Sequence, residues 1–187
     1  MRIIIAGIAG GIVLFCWGAF SHMVLPIGDI GVKSMPNDAA VMSALKTNIS
    51  EPGLYFYPGM EGGHKATEAE RAAFEAKYKS GPHGILVFHP SGTEVMPPSM
   101  LITELVSNIL ACIFAAFVIS LTAAGFLARI IATGLFGLVS WLSVDASYWN
   151  WYGFPTDYFF AQVGDQFVGW LLAGIPVAIF VKGRRVS

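Results

Sequence analysis

Four ionisable side chains, His22, Glu104, Asp145 and Asp165, fall inside otherwise apolar stretches, with no Lys or Arg placed among them. Unpaired anions in an apolar medium are expensive. Such acids must be held neutral, be matched by a cation from elsewhere, or stand in a wetter layer than their number implies. The residue types therefore suit a proton relay or cation site, with Asn108 and Gln162 as hydrogen-bonding neighbours. A metal site made by His22 with two of Glu104, Asp145 and Asp165 is a weaker alternative. That donor set would accept zinc or a similar ion, but the spacing matches no metal motif. A plainer structural reading stands beside these: polar helix ends near an interface bond to one another and to a neighbouring domain. No Ser/His/Asp order, nucleotide-binding glycine loop or two-cysteine redox motif is present, so no catalytic residue and no cofactor is assigned.

The elements that carry these residues are four apolar segments, 3–25, 99–122, 128–148 and 158–181. Each is long enough to cross a bilayer, which takes roughly 20 apolar residues. Arg2, Arg129, Lys182, Arg184 and Arg185 flank them. A four-pass chain with both ends in the cytoplasm puts all five basic residues on one side, as the positive-inside rule expects. In that topology His22, Glu104 and Asp145 lie about one turn below the opposite surface and Asp165 about two turns below it. Small and polar residues recur at helical spacing beside them. The sets are Gly7, Gly11 and Gly18 with His22; Glu104, Ser107, Asn108, Ala111, Cys112 and Ala115; and Gln162, Asp165, Gln166, Gly169, Ala173 and Pro176. Gly134, Trp141, Asp145 and Tyr148 share a third of the wheel at 100° per residue. These faces are expected to line the interior of a bundle, with the three acids and His22 near one another.

Residues 26–98 read differently. They hold six Lys/Arg and eight Asp/Glu, against five and four in the rest of the chain. Asn37 is placed to cap a first helix, and Thr67 with Glu70 makes a capping box for a second at 68–79, where Glu75 and Lys79 pair. Residues 54–57 and 84–89 read as strands, and the intervening helix is a long enough crossover to allow parallel pairing. The expected architecture is a mainly α membrane protein. A four-transmembrane-helix bundle carries a small α+β insertion, with domains at 1–25, 26–98 and 99–187. The first helix is expected to be retained rather than cleaved as a signal peptide.

Net charge is −1, which argues against nucleic acid as a partner. Cys16 and Cys112 both fall near the middle of helices and read as apolar core thiols. His64, His83 and His89 read as solvated polar residues. Tyr148, Trp149, Trp151, Tyr152 and Phe154 form an aromatic run between the third and fourth helices. An interfacial belt explains it, and a lipid, quinone or protein surface is the functional alternative.

The segments WGAFSH at 17–22, VLP at 24–26, PGLYFYP at 52–58 and SYWNWYGFP at 147–155 resemble a group of small uncharacterised bacterial inner-membrane proteins. The resemblance implies a bacterial inner-membrane location and supplies no activity; in the topology set by the basic residues, 26–98 are then expected to be periplasmic. The residues favour a non-catalytic accessory or scaffold subunit that meets the lipid bilayer and either other membrane subunits or itself. A small proton-coupled carrier or cation-conducting protein is the main alternative. An enzyme acting on lipid or quinone is a weaker one, and a cavity beside the acidic layer open to lipid tails would be its sign.

Overall fold

The computed structural model describes residues 1–182. Arg184 and Arg185, which contribute to the charge asymmetry, lie outside the described residues. The chain divides into two units, Met1–Lys33 with Val95–Ser187, and Ser34–Glu94.

The first unit is helical. It comprises α1 (Arg2–Met23), a short 3-10 turn (Pro26–Asp29), α4 (Pro98–Ser120), α5 (Phe126–Ser140), α6 (Ala146–Tyr152) and α7 (Thr156–Phe180). Four helical spans, with α5 and α6 counted as one, are long and apolar enough to cross a membrane. Helices serve there because every interior backbone polar group is satisfied within its own segment.

Small residues let the helices meet backbone to backbone. A Cβ on Gly7 would collide with the backbone of Ile113, and one on Gly11 with the backbone of Ile109. Those two contacts set α1 antiparallel to α4, four residues forward on one for four back on the other. On α5, a Cβ at Gly137 would fall 2.5 Å from the Gln166 carbonyl oxygen of α7. Ala6, Ala116, Ile119, Val177 and Val181 fill the core where α1 begins and α4 and α7 end. At that end the Arg129 guanidinium donates to the carbonyls of Ala178 (3.1 Å) and Val181, occupying acceptors that the last turn of α7 leaves open. Cys112 is buried in this packing. Cys16, read from sequence as a second core thiol, is exposed on the outer side of α1.

The third span departs from the uniform helix expected at 128–148. Between α5 and α6, Trp141–Asp145 form a π turn, with the Ala146 N–H reaching the Trp141 carbonyl. The wider turn lets the Trp141 indole donate to Phe159 O (2.8 Å) and stack on the Phe159 ring at 4.4 Å. Gly153, at φ 72°, then ends α6 in the left-handed region, which suits glycine.

The second unit contains α2 (Asp38–Asn48), β1 (Gly53–Tyr57), α3 (Glu68–Ser80) and β2 (Gly84–Phe88). Its strands pair antiparallel, Leu54 opposite Val87 and Phe56 opposite Ile85. The parallel pairing that the crossover allowed is not formed; the chain between the strands turns back, so β2 returns against the direction of β1. Asn37 precedes α2 as expected but sits at φ 52° and makes no side-chain cap. The capping box of α3 is present, Thr67 N–H donating to Glu70 Oε2 (2.6 Å) and Glu70 N–H to Thr67 Oγ1 (3.3 Å). Glu75 and Lys79 pair at 3.2 Å. Neither α2 nor α3 has a buried residue, so the two strands gain no shared core from them.

The bonds from Thr67, backbone first and hydroxyl second, hold the Glu70 carboxyl below its ordinary value. A carboxyl depressed by folding stabilises the folded state above its unfolded pKa, about 4.5. That contribution is lost as pH falls through the lower folded value. Glu70→Gln is therefore expected to speed amide exchange in the first turn of α3 at neutral pH, and to match the wild type once pH is below both values. Hydrogen exchange resolved to residues 68–71 measures this.

Candidate polar cavity of the helical unit

The α1–α4 contacts place the last turns of α1 beside the first turns of α4. Helix α7 joins them through the Trp17 indole, which donates to Asp165 O (3.0 Å), and through Gly169, whose missing side chain leaves room for Trp17 and Leu14. At this end, away from the filled core, the helices enclose a cavity of about 590 Å³. Its polar lining comes from His22, Glu104, Asn108, Ser140, Gln162, Asp165 and Gln166. Leu14, Trp17, Leu101 and Trp170 supply apolar wall.

Asp165 is the most deeply placed acid. The residue is 9% exposed. Its Oδ1 is buried with no hydrogen-bond partner among the described residues, and its Oδ2 lies 4.0 Å from His22 Nδ1. That nitrogen also lies 3.1 Å from the Gly18 carbonyl and 2.9 Å from Ser21 Oγ. A carbonyl only accepts, so Nδ1 carries a hydrogen in this arrangement. The Ser21 hydroxyl donates to the same carbonyl at 3.2 Å, which leaves its oxygen able to accept from the ring. Gly28, in the 3-10 turn, lies against the imidazole, where a Cβ would come within 2.9 Å of the ring.

Glu104 lines the cavity yet is exposed, so it stands at the mouth. Its Oε1 accepts from Asn108 Nδ2 at 3.1 Å, one turn further along α4. Gln162 is buried one turn before Gln166 on α7.

The cavity thus brings together His22, Glu104, Asn108, Gln162 and Asp165, and Asp145 is not among its lining residues. Asp145 closes the π turn. The wheel that grouped it with Gly134 assumes 100° per residue. A π turn winds less per residue, so the phase has slipped by the time the chain reaches Asp145. Among the described residues, no three His, Cys, Asp or Glu side chains group closely enough to hold a metal ion.

Sequence reasoning did not assign Trp17 or Trp170 to this cavity, nor Gly28 to the contact with the His22 ring. Trp170 had a readable signal, since it follows Gln166 by four residues on the same face of α7. Gly28 had none, because its role depends on the path of a loop.

The aromatic run is partly tied down. Tyr148 stacks on Phe154 at 5.3 Å and contacts Tyr152 at 5.7 Å. Trp149 stacks on Phe159 at 5.1 Å and donates to Thr156 Oγ1. Trp151 projects outward, 77% exposed.

No family model matches the chain, and comparison with curated proteins and with solved structures returns no match either. The resemblance carried by residues 17–22 and 147–155 gains no family from these comparisons.

Proposed function

We propose that this chain is a multi-pass membrane protein whose working part is the cavity, a proton- or cation-accepting site of a small carrier or conducting protein. The observation that carries this reading is the buried oxygen of Asp165, which has no hydrogen-bond partner among the described residues, beside a cavity whose described lining holds no Lys or Arg. A carboxylate left in that state lacks the compensation that buried charges normally have. A proton or cation supplies it. In the proposed exchange, Asp165 holds the deep position and His22 stands next to it. Glu104 at the mouth receives or delivers the charge. We place the protein in a bacterial inner membrane, with both ends cytoplasmic and residues 26–98 periplasmic. Arg2 and Arg129, on the same side, support that orientation.

Proteoliposomes loaded with a pH-sensitive dye test the reading. Under an imposed potential, the wild type is expected to pass protons, and Asp165→Asn and Glu104→Gln to fall to the level of empty liposomes while keeping helical circular dichroism. Equal flux in all three proteins, or none above empty liposomes in the wild type, would contradict it.

A second reading, an accessory subunit of a larger membrane assembly, draws on the two-stranded ribbon. Leu54 and Val87 lie opposite one another on one face and are 56% and 66% exposed. Purification in gentle detergent followed by mass spectrometry tests it. A stoichiometric partner that is lost in a Leu54→Ser, Val87→Ser variant supports it, and a lone chain counts against it.

A further inference from the structure

The cavity is larger than a proton or a bare ion requires. At about 590 Å³ it falls within the range of small-molecule clefts, roughly 300–1,000 Å³. Its composition is also specific. Two carboxylates, Glu104 and Asp165, lie among the amides of Asn108, Gln162 and Gln166, and two indoles, Trp17 and Trp170, form part of the wall.

We infer that this cavity binds an organic ammonium ion with an apolar, preferably aromatic, body, and that Asp165 is its counter-ion. The inference rests on the cation-accepting reading above and names the class of cation. Oδ1 of Asp165 is a buried acceptor still in want of a donor. A primary ammonium brings three donors, one for the Asp165 carboxylate that lines the cavity and two for the side-chain amide oxygens of the lining. The Trp17 and Trp170 side chains offer apolar and π surface to the body of the ligand, and an indole face attracts a cation. Glu104 at the mouth draws cations in and repels acids. The same set disfavours an aminophospholipid headgroup. Its phosphate would enter beside two carboxylates, with no Lys or Arg in the described lining and with His22 already facing Asp165. The source is therefore a free amine.

Isothermal titration of the full chain in phosphatidylcholine nanodiscs tests this, with three probes of similar shape: 2-phenylethylamine, 2-phenylethanol and 3-phenylpropanoate. The amine is expected to bind saturably, and the alcohol and acid not to bind measurably. Asp165→Asn is expected to weaken the amine on the order of thirtyfold, the size of effect seen when one partner of a buried charge pair is removed. Glu104→Gln, at an exposed position where folding is not at stake, is expected to weaken it by a smaller factor that shrinks further in high salt. Equal binding of amine and alcohol would overturn the inference, as would an amine affinity indifferent to both substitutions. Loss of amine affinity in phosphatidylethanolamine nanodiscs would overturn the free-amine source. Absence of amine binding alongside Asp165-dependent proton flux would overturn the ligand class and leave the proton reading standing. Asp165-independence in both measurements would overturn both.

Discussion

Gly7→Leu and Gly11→Leu are each expected to prevent the bundle from forming, and the double variant to yield no monodisperse protein. Both positions press on backbone, at Ile113 and Ile109, so no neighbouring side chain can swing away to make room. Inserting extra atoms into a packed core costs about 1–3 kcal/mol where side chains can yield, and more where backbone must move. Helix α1 would have to separate from α4 along the seam that also positions Phe15, Gly18 and His22. Gly164→Leu is the control. It lies on α7, where a Cβ would meet nothing within 4 Å, and should be tolerated. Size-exclusion profiles and thermal midpoints in detergent decide the matter. Midpoints for Gly7→Leu and Gly11→Leu equal to that of Gly164→Leu would show that α1 and α4 do not meet as described.

Asp165→Leu is expected to abolish proton flux and raise the thermal midpoint. The wild-type residue leaves one buried carboxylate oxygen unbonded, a condition that costs about 1–3 kcal/mol when a polar group is involved. Leucine has the same branched shape and needs no partner, and the cavity beside position 165 has room for its larger methyl groups. Removing a buried charge is often neutral or stabilising when no buried partner is left behind, and the His22 side chain that faces Asp165 is 46% exposed. A residue kept for function at the expense of stability behaves in this way. A residue kept for structure behaves in the opposite way. If Asp165→Leu melts earlier than the wild type, Asp165 holds the helices together, and the plainer reading of polar helix ends bonding to one another applies. Thermal unfolding and flux on the same preparation separate the two.

The four spans are legible in the sequence because length and apolarity alone decide them; observed ends differ from expectation by a few residues at most places. The capping box at Thr67 is legible for a similar reason, since both partners lie within one turn. Features that depend on non-local geometry are not. The π turn at Trp141–Asp145 has no marker in its own residues and moves Asp145 out of phase with the face assigned to it. The direction of strand pairing depends on how α3 leaves and returns, which periodicity does not record. Cys16 reads as buried by its depth in the span, yet depth along a helix does not say which side meets lipid. Glu104, Asn108, Gln162 and Asp165 could be brought together on paper because they lie on stripes with small residues. The pairing of Asp165 with His22 also needed Gly28 and Trp17, whose parts depend on contacts between distant segments.

The measurement that bears most directly on the central claim is infrared difference spectroscopy of the membrane-reconstituted protein as pH is cycled, comparing wild type with Asp165→Asn. If the cavity exchanges a proton at Asp165, the wild type shows a carboxylic-acid carbonyl band that appears and disappears reversibly and is missing from the variant. If every reversible carboxyl band of the wild type is retained in Asp165→Asn, Asp165 does not exchange protons and the proton-accepting reading of the cavity is wrong.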